Sequence, residues 1–99
     1  MEGPGPNPAA GDPSVRLYLL MPPEEVVFFQ SVLEGMDNVA YMQSAKAPYP
    51  YQGRSWALVR LTTTLDFEQE VRELVRGLAK EVELLWAPPE AEKLAAHLA

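Results

Sequence analysis

The stretch SWALVRLTTTLDFEQEVRELVRGLAK, residues 55–80, carries two different hydrophobic periods in succession, and that change decides the class of fold. From Ser55 to Thr62 the residues alternate, with Ala57, Val59 and Leu61 pointing one way and Trp56, Leu58, Arg60 and Thr62 the other. A period of two marks a strand, whose successive side chains leave opposite faces. From Leu65 to Lys80 the apolar residues Phe67, Val71, Leu74, Val75 and Leu78 fall on one stripe of a helix whose opposite face is charged. Asp66 and Gln69 have capping-box spacing, with Thr64 a rival N-cap. Glu68 stands one turn before Arg72 and supports it, whereas Arg72 and Arg76 are like charges at the same spacing. Gly77 is a small local cost that marks close packing or an early end.

The same alternation of strand and helix extends in both directions. Ser14 to Met21 reads as a strand with Val15, Leu17, Leu19 and Met21 on the core face and Arg16, Tyr18 and Leu20 on the other. Pro22 and Pro23 end it, and Pro23 with Glu24 and Glu25 suits the first turn of a helix running to Glu34. Its stripe is Val26, Phe29, Val32, Leu33 and Met36, Gly35 is a candidate left-handed cap, and Val27 and Phe28 widen the apolar surface either for the core or for an oligomer contact. Asp37-Asn38 supplies turn chemistry before a second strand from Val39 to Ser44, with Val39 and Tyr41 opposed to Ala40 and Met42. Residues 45–54, with two prolines and a glycine, read as a long hairpin loop. Val82 to Trp86 reads as the last strand, stopped by Pro88 and Pro89.

Residues 1–13 are rich in Gly, Pro, Asn and Ala without an apolar period, and are expected to form a disordered leader. The domain is expected over 14–87, and 88–99 as a tail in which Leu94 and Leu98 could add a helical turn if it docks. A length of 99 residues suits one core, and a composition 47% hydrophobic and 22% charged is enough to fold.

Composition also narrows the chemistry. Eight basic against 14 acidic residues give a formal charge of −6, which disfavours nucleic acid. With no Cys, disulfides and thiolate chemistry are excluded, and with one His, His97 in the tail, a metal would need an all-carboxylate site. No segment reaches the roughly 20 apolar residues of a membrane span, and the start has no signal-peptide pattern, so a cytoplasmic protein is expected. No glycine-rich phosphate loop follows a strand, and no cofactor is implied. Glu24, Glu25, Asp66, Glu68 and Glu70 sit where helix beginnings favour negative charge, while Glu81 and Glu83 are a weak lead for paired acid–base work. No catalytic set and no metal site is assigned.

Strand, helix, strand, strand, helix, strand is the order of a ferredoxin-like βαββαβ sandwich, an α+β fold in which two helices cover one face of a four-stranded antiparallel sheet and the first and third strands lie centrally. Val15-Arg-Leu-Tyr-Leu, the Pro-Pro-Glu-Glu entrance at 22–25 and Leu65-Asp-Phe-Glu-Gln-Glu-Val carry the resemblance: Leu17 to Trp86 resembles ACT-like and related ferredoxin-like domains, including a small uncharacterised family of bacterial domains of that shape. The resemblance implies topology, and ACT-like relatives bind small regulatory ligands at domain interfaces.

On this fold the sheet face without helices presents Arg16, Tyr18, Trp56, Leu58 and Arg60, with Leu85 or Trp86 according to register. So apolar a face calls for a cover: a second copy of the chain, another protein, or the C-terminal tail. A single-stranded RNA reading uses Tyr18 and Trp56 for stacking and Arg16 and Arg60 for phosphate. Tyr49, Tyr51 and Arg54 in the proline-bearing loop could clasp a small metabolite or a partner, with turn and edge packing as the plainer role. The expectation drawn from these residues is a non-catalytic interaction or small-ligand-sensing domain that acts as a homodimer. A small enzyme with a carboxylate or Tyr/Arg site is the alternative.

Overall fold

A computed structural model of the chain describes residues 14–36 and 40–96. The elements are β1 (Ser14–Met21), a 3-10 turn (Pro23–Glu25), α1 (Val26–Glu34), β2 (Ala40–Ser44), β3 (Tyr49–Tyr51), β4 (Arg54–Thr64), α2 (Glu68–Leu78), β5 (Leu85–Trp86) and α3 (Pro89–Ala95). The sheet runs β2-β4-β1-β5 with every pair antiparallel, and β3 pairs with the first residues of β4 beyond the end of β2. Among the described residues the architecture is therefore mixed α+β with five strands and three helices, against the four strands and two helices expected.

The extra strand comes from the segment read as a loop. Gln52 and Gly53 both have positive φ, 53° and 74°, the pair of left-handed residues that closes a two-residue hairpin compatible with strand twist. Pro50, opposite Ser55, is tolerated because β3 has only one paired edge. Two boundaries and one cap also differ from expectation. Residues 65–67 form a turn, so α2 begins at Glu68 after Phe67, and neither Asp66 nor Thr64 caps it with a side chain. Glu81 and Val82 N–H groups both donate to the Leu78 carbonyl, at 2.8 and 2.9 Å, which wraps the chain around the helix end and shortens the strand expected over 82–86 to two residues. Gly35 keeps helical angles, φ −77°, so it is not a left-handed cap. The expected leader, the Asp37-Asn38 turn, Val39, His97 and Leu98 lie outside the described residues.

Alternation along β1 and β4 divides the interior into two clusters. On one face Leu17, Leu19, Met21, Val59 and Leu61 meet Phe29 and Leu33 of α1 and Val71, Val75 and Leu78 of α2. On the other face Leu20, Trp56 and Leu58 meet Ala87 and the α3 residues Ala91 and Ala95. Val27 and Phe28 belong to neither, and stand 74% and 45% exposed. The register places Leu85 opposite Leu20 and Trp86 opposite Leu19, so Leu85 shares the α3 face and Trp86 the face of α1 and α2.

Candidate functional site

The seven side chains singled out as contacts, Arg16, Tyr18, Tyr49, Tyr51, Arg54, Trp56 and Arg60, separate into three groups. The first is built by the β3–β4 hairpin. Tyr49 pairs with Trp56 and Tyr51 with Arg54 across the ladder, and the two half-buried tyrosine rings stand 6.4 Å apart. The Trp56 indole N–H donates to the Tyr51 carbonyl at 2.9 Å, so the one polar atom of this buried ring is satisfied. The Arg54 guanidinium lies 4.3 Å from the Trp56 ring centroid and forks onto both oxygens of Glu83, at 2.7 and 2.9 Å. That fork holds the Glu83 carboxyl below its ordinary range, with partial desolvation opposing, and raises Arg54. A cavity of ≈ 230 Å³ opens beside this group, lined by Pro23, Ala45, Lys46, Ala47, Pro48, Trp56 and Ala57.

The second group lies under α3. Arg60 is buried, donates to Gln43 Oε1 and to the Ala95 carbonyl (3.4 Å), and its Nε finds no partner among the described residues. It meets the carbonyl end of a short helix, where a cation is favoured. Tyr18 is its cross-strand partner and is half-buried against the same cluster. The third group is Arg16 alone, exposed near the start of β1.

The expected open sheet face is therefore covered where it mattered most. Trp56 is 2% exposed and Arg60 7%, so neither offers an accessible contact. The cover is the C-terminal segment: Ala87 and the α3 methyls of Ala91 and Ala95 pack in one cluster with Leu20, Trp56 and Leu58. Residues outside the sequence-derived set complete these groups, namely Glu83 as the partner of Arg54 and Gln43 as that of Arg60. Glu83 was visible in sequence only as half of an alternating Glu81/Glu83 pair, and Gln43 gave no signal.

Arg54 and Glu83 neutralise each other in the open, and the tyrosines are packed in a hairpin. Among the described residues no three metal-ligating side chains gather, and no helix is long and apolar enough to cross a membrane.

No curated protein and no solved structure matches the chain. A family model described as a domain of unknown function, DUF4911, matches residues 19–82. That span runs from the middle of β1 through α2, over half of the sequence, and the chain belongs to the DUF4911 family.

Proposed function

We propose that this chain is a non-catalytic interaction domain of ferredoxin-like type that acts as a homodimer. The ferredoxin-like reading is supported by the order β2-β4-β1-β5 once the hairpin strand β3 is set apart as an addition to one edge. ACT-like kinship and a cytoplasmic setting belong to the same proposal.

The observation that carries the dimer is apolar surface left in water beside an open sheet edge. Val27 and Phe28 project from α1, Tyr41 of the edge strand β2 is 63% exposed, and among the described residues no strand pairs with the outer side of β2. A cavity of ≈ 160 Å³ between α1 and β2, lined by Gln30, Leu33, Glu34, Ala40, Tyr41 and Met42, adds relief for a second copy to fill. An unpaired edge with apolar flanks tends to recruit another strand, and a two-fold arrangement lets one patch cover its twin. Of the two routes to a dimer that the sequence offers, sheet-face packing and edge pairing, edge pairing is the one that keeps support once α3 lies over that face.

Small-ligand sensing attaches to the cavity beside Trp56, where the Lys46 ammonium and an aromatic edge suit a small carboxylate. The RNA reading loses support, because stacking requires an accessible Trp56.

Light scattering on the eluting peak of a sizing column tests the dimer. Twice the chain mass is expected for the wild type, and single-chain mass for V27D/F28D with its circular dichroism retained. Single-chain mass for the wild type at every concentration would remove the proposal.

A further inference from the structure

The opposite edge of the sheet holds a second opening, independent of the dimer. Strand β1 is paired with β4 along its whole length, from Ser14–Thr64 to Met21–Ala57, but β5 covers only Leu19 and Leu20. The ladder ends when the Ala87 N–H donates to the Tyr18 carbonyl at 2.9 Å. The register would next set residue 89 opposite Arg16, and Pro89 has no N–H to continue the ladder; there α3 begins and carries the chain over the sheet face.

Backbone direction follows from that last bond. In an antiparallel strand alternate residues direct their N–H and C=O to the same side. Since the Tyr18 carbonyl faces β5, the N–H and C=O of Arg16 also face that side, where β5 has already ended. No described residue bonds to either group. The open stretch from Val15 to Leu17 is about 10 Å long, the length of three extended residues.

This edge has walls. Arg16, Leu17, Tyr18, Arg72, Trp86 and Glu92 line a cavity of ≈ 270 Å³ along it. Trp86 closes the end where β5 stops, and the Arg72 guanidinium lies 5.5 Å from its ring centroid while pairing with Glu68 at 2.8 Å. Arg16 on the strand and Glu92 on the α3 side have no ion-pair partner among the described residues.

We propose that the β1 edge at Arg16, bounded by Trp86, Arg72 and Glu92, binds an extended peptide segment of a partner protein as an added strand, with one acidic side chain opposite Arg16. An extended backbone offers, in one residue and at the right spacing, the donor and acceptor that match the N–H and C=O of Arg16. The residue facing Arg16 shares its face of the sheet and lies near enough for opposite charges to attract. The neighbours of that acid fall on the other face, beside Val15 and Leu17, and are apolar. Glu92 on the facing wall opposes a second carboxylate, so the segment carries a single acid with apolar neighbours instead of an acidic run.

The test measures fluorescence anisotropy of fluorescein-labelled peptides with Gly/Ser flanks and a central Val-Glu-Val, Val-Lys-Val, or Val-Glu-Val with the glutamate nitrogen methylated. The wild-type chain is expected to bind Val-Glu-Val about tenfold more tightly than Val-Lys-Val, the difference between an attractive and a repulsive cross-strand pair. R16E should reverse that order, and methylation should abolish binding to the wild type without any change to the protein. The proposal is overturned if no peptide binds at millimolar concentration. It is equally overturned if binding ignores both methylation and the charge at position 16, or if the edge proves to be occupied by a second copy, seen as self-association lost in R16E. A monomeric wild type that still selects Val-Glu-Val would remove the dimer and leave this edge site standing.

Discussion

The two faces of the sheet are filled in different ways. Toward α1 and α2 the filling is Leu, Val, Met and Phe, with Phe29, Leu19, Val59, Leu61 and Val71 wholly buried. Toward α3 the sheet contributes large residues, Trp56, Leu58 and Leu20, but the helix returns only alanines. The two buried methyl groups of α3, Ala91 and Ala95, at about 0.8 kcal/mol each give roughly 1.6 kcal/mol of apolar gain, from which the ordering of a seven-residue helix must be subtracted. One side is thus the foundation of the fold and the other a cover seated lightly on a finished sheet. Apolar character on the sheet does not by itself report how strongly its cover is held; what the cover brings decides that.

The sharpest way to break this contrast is to disturb one buried position on each side. Phe29→Ala empties the centre of the α1/α2 face and is expected to cost about 3–5 kcal/mol of global stability, measured by urea denaturation. Ala91→Asp places a carboxylate where α3 meets Leu58 and Trp56, and should release α3 instead of unfolding the chain, because release costs less than burying the charge. The expected result is rapid amide exchange at Ala91, Glu92 and Ala96, a red shift of tryptophan emission as Trp56 meets water, and a loss of no more than about 2 kcal/mol. A loss as large as that of Phe29→Ala would show that both faces unfold as one unit and would end the distinction.

The same contrast explains what could be read without coordinates. The strand faces were legible because each large apolar residue in β1 and β4 reports its own side: Val59 and Leu61 one way, Trp56 and Leu58 the other. The α2 stripe was legible for the same reason, although Phe67 proved to lie in the preceding turn. The docking of α3 was not, since Ala91 and Ala95 are as common on exposed helix faces as in interiors, and Pro88-Pro89 reads equally as the end of a domain. The hairpin strand was hidden by Pro48 and Pro50, whose usual meaning is a loop, and by Gln52 in a left-handed conformation that glutamine seldom takes. Among the candidate contacts, alternation placed each residue on its face but could not say whether that face was open, and this is why Trp56 and Arg60 were read as accessible.

The smallest expected effect concerns the link between the two edges of the sheet at the β3–β4 hairpin. Arg54 enters β4 and Glu83 precedes β5, and their fork ties the hairpin to the segment that leads into α3. Both side chains are about half exposed, so the pair is screened by solvent and its contribution is modest. Its sign with pH is nevertheless fixed. The fork makes Glu83 a stronger acid in the folded chain than its ordinary value of 4.5, chiefly through the hydrogen bonds from Arg54. As pH falls through that ordinary value the unfolded chain takes up a proton that the folded chain still refuses, which favours unfolding. The stabilisation is therefore complete above 4.5 and declines below it, vanishing once the folded carboxyl is itself protonated. Thermal melts of the wild type and Glu83→Gln should differ most near neutrality, converge in acid, and converge at every pH in about 1 M salt, where charges are screened within about 3 Å. A difference that stayed constant from neutral to strongly acidic solution would mean that Glu83 holds the hairpin by packing alone, and the hairpin edge would then belong with the lightly seated α3 face, held by shape and without charge.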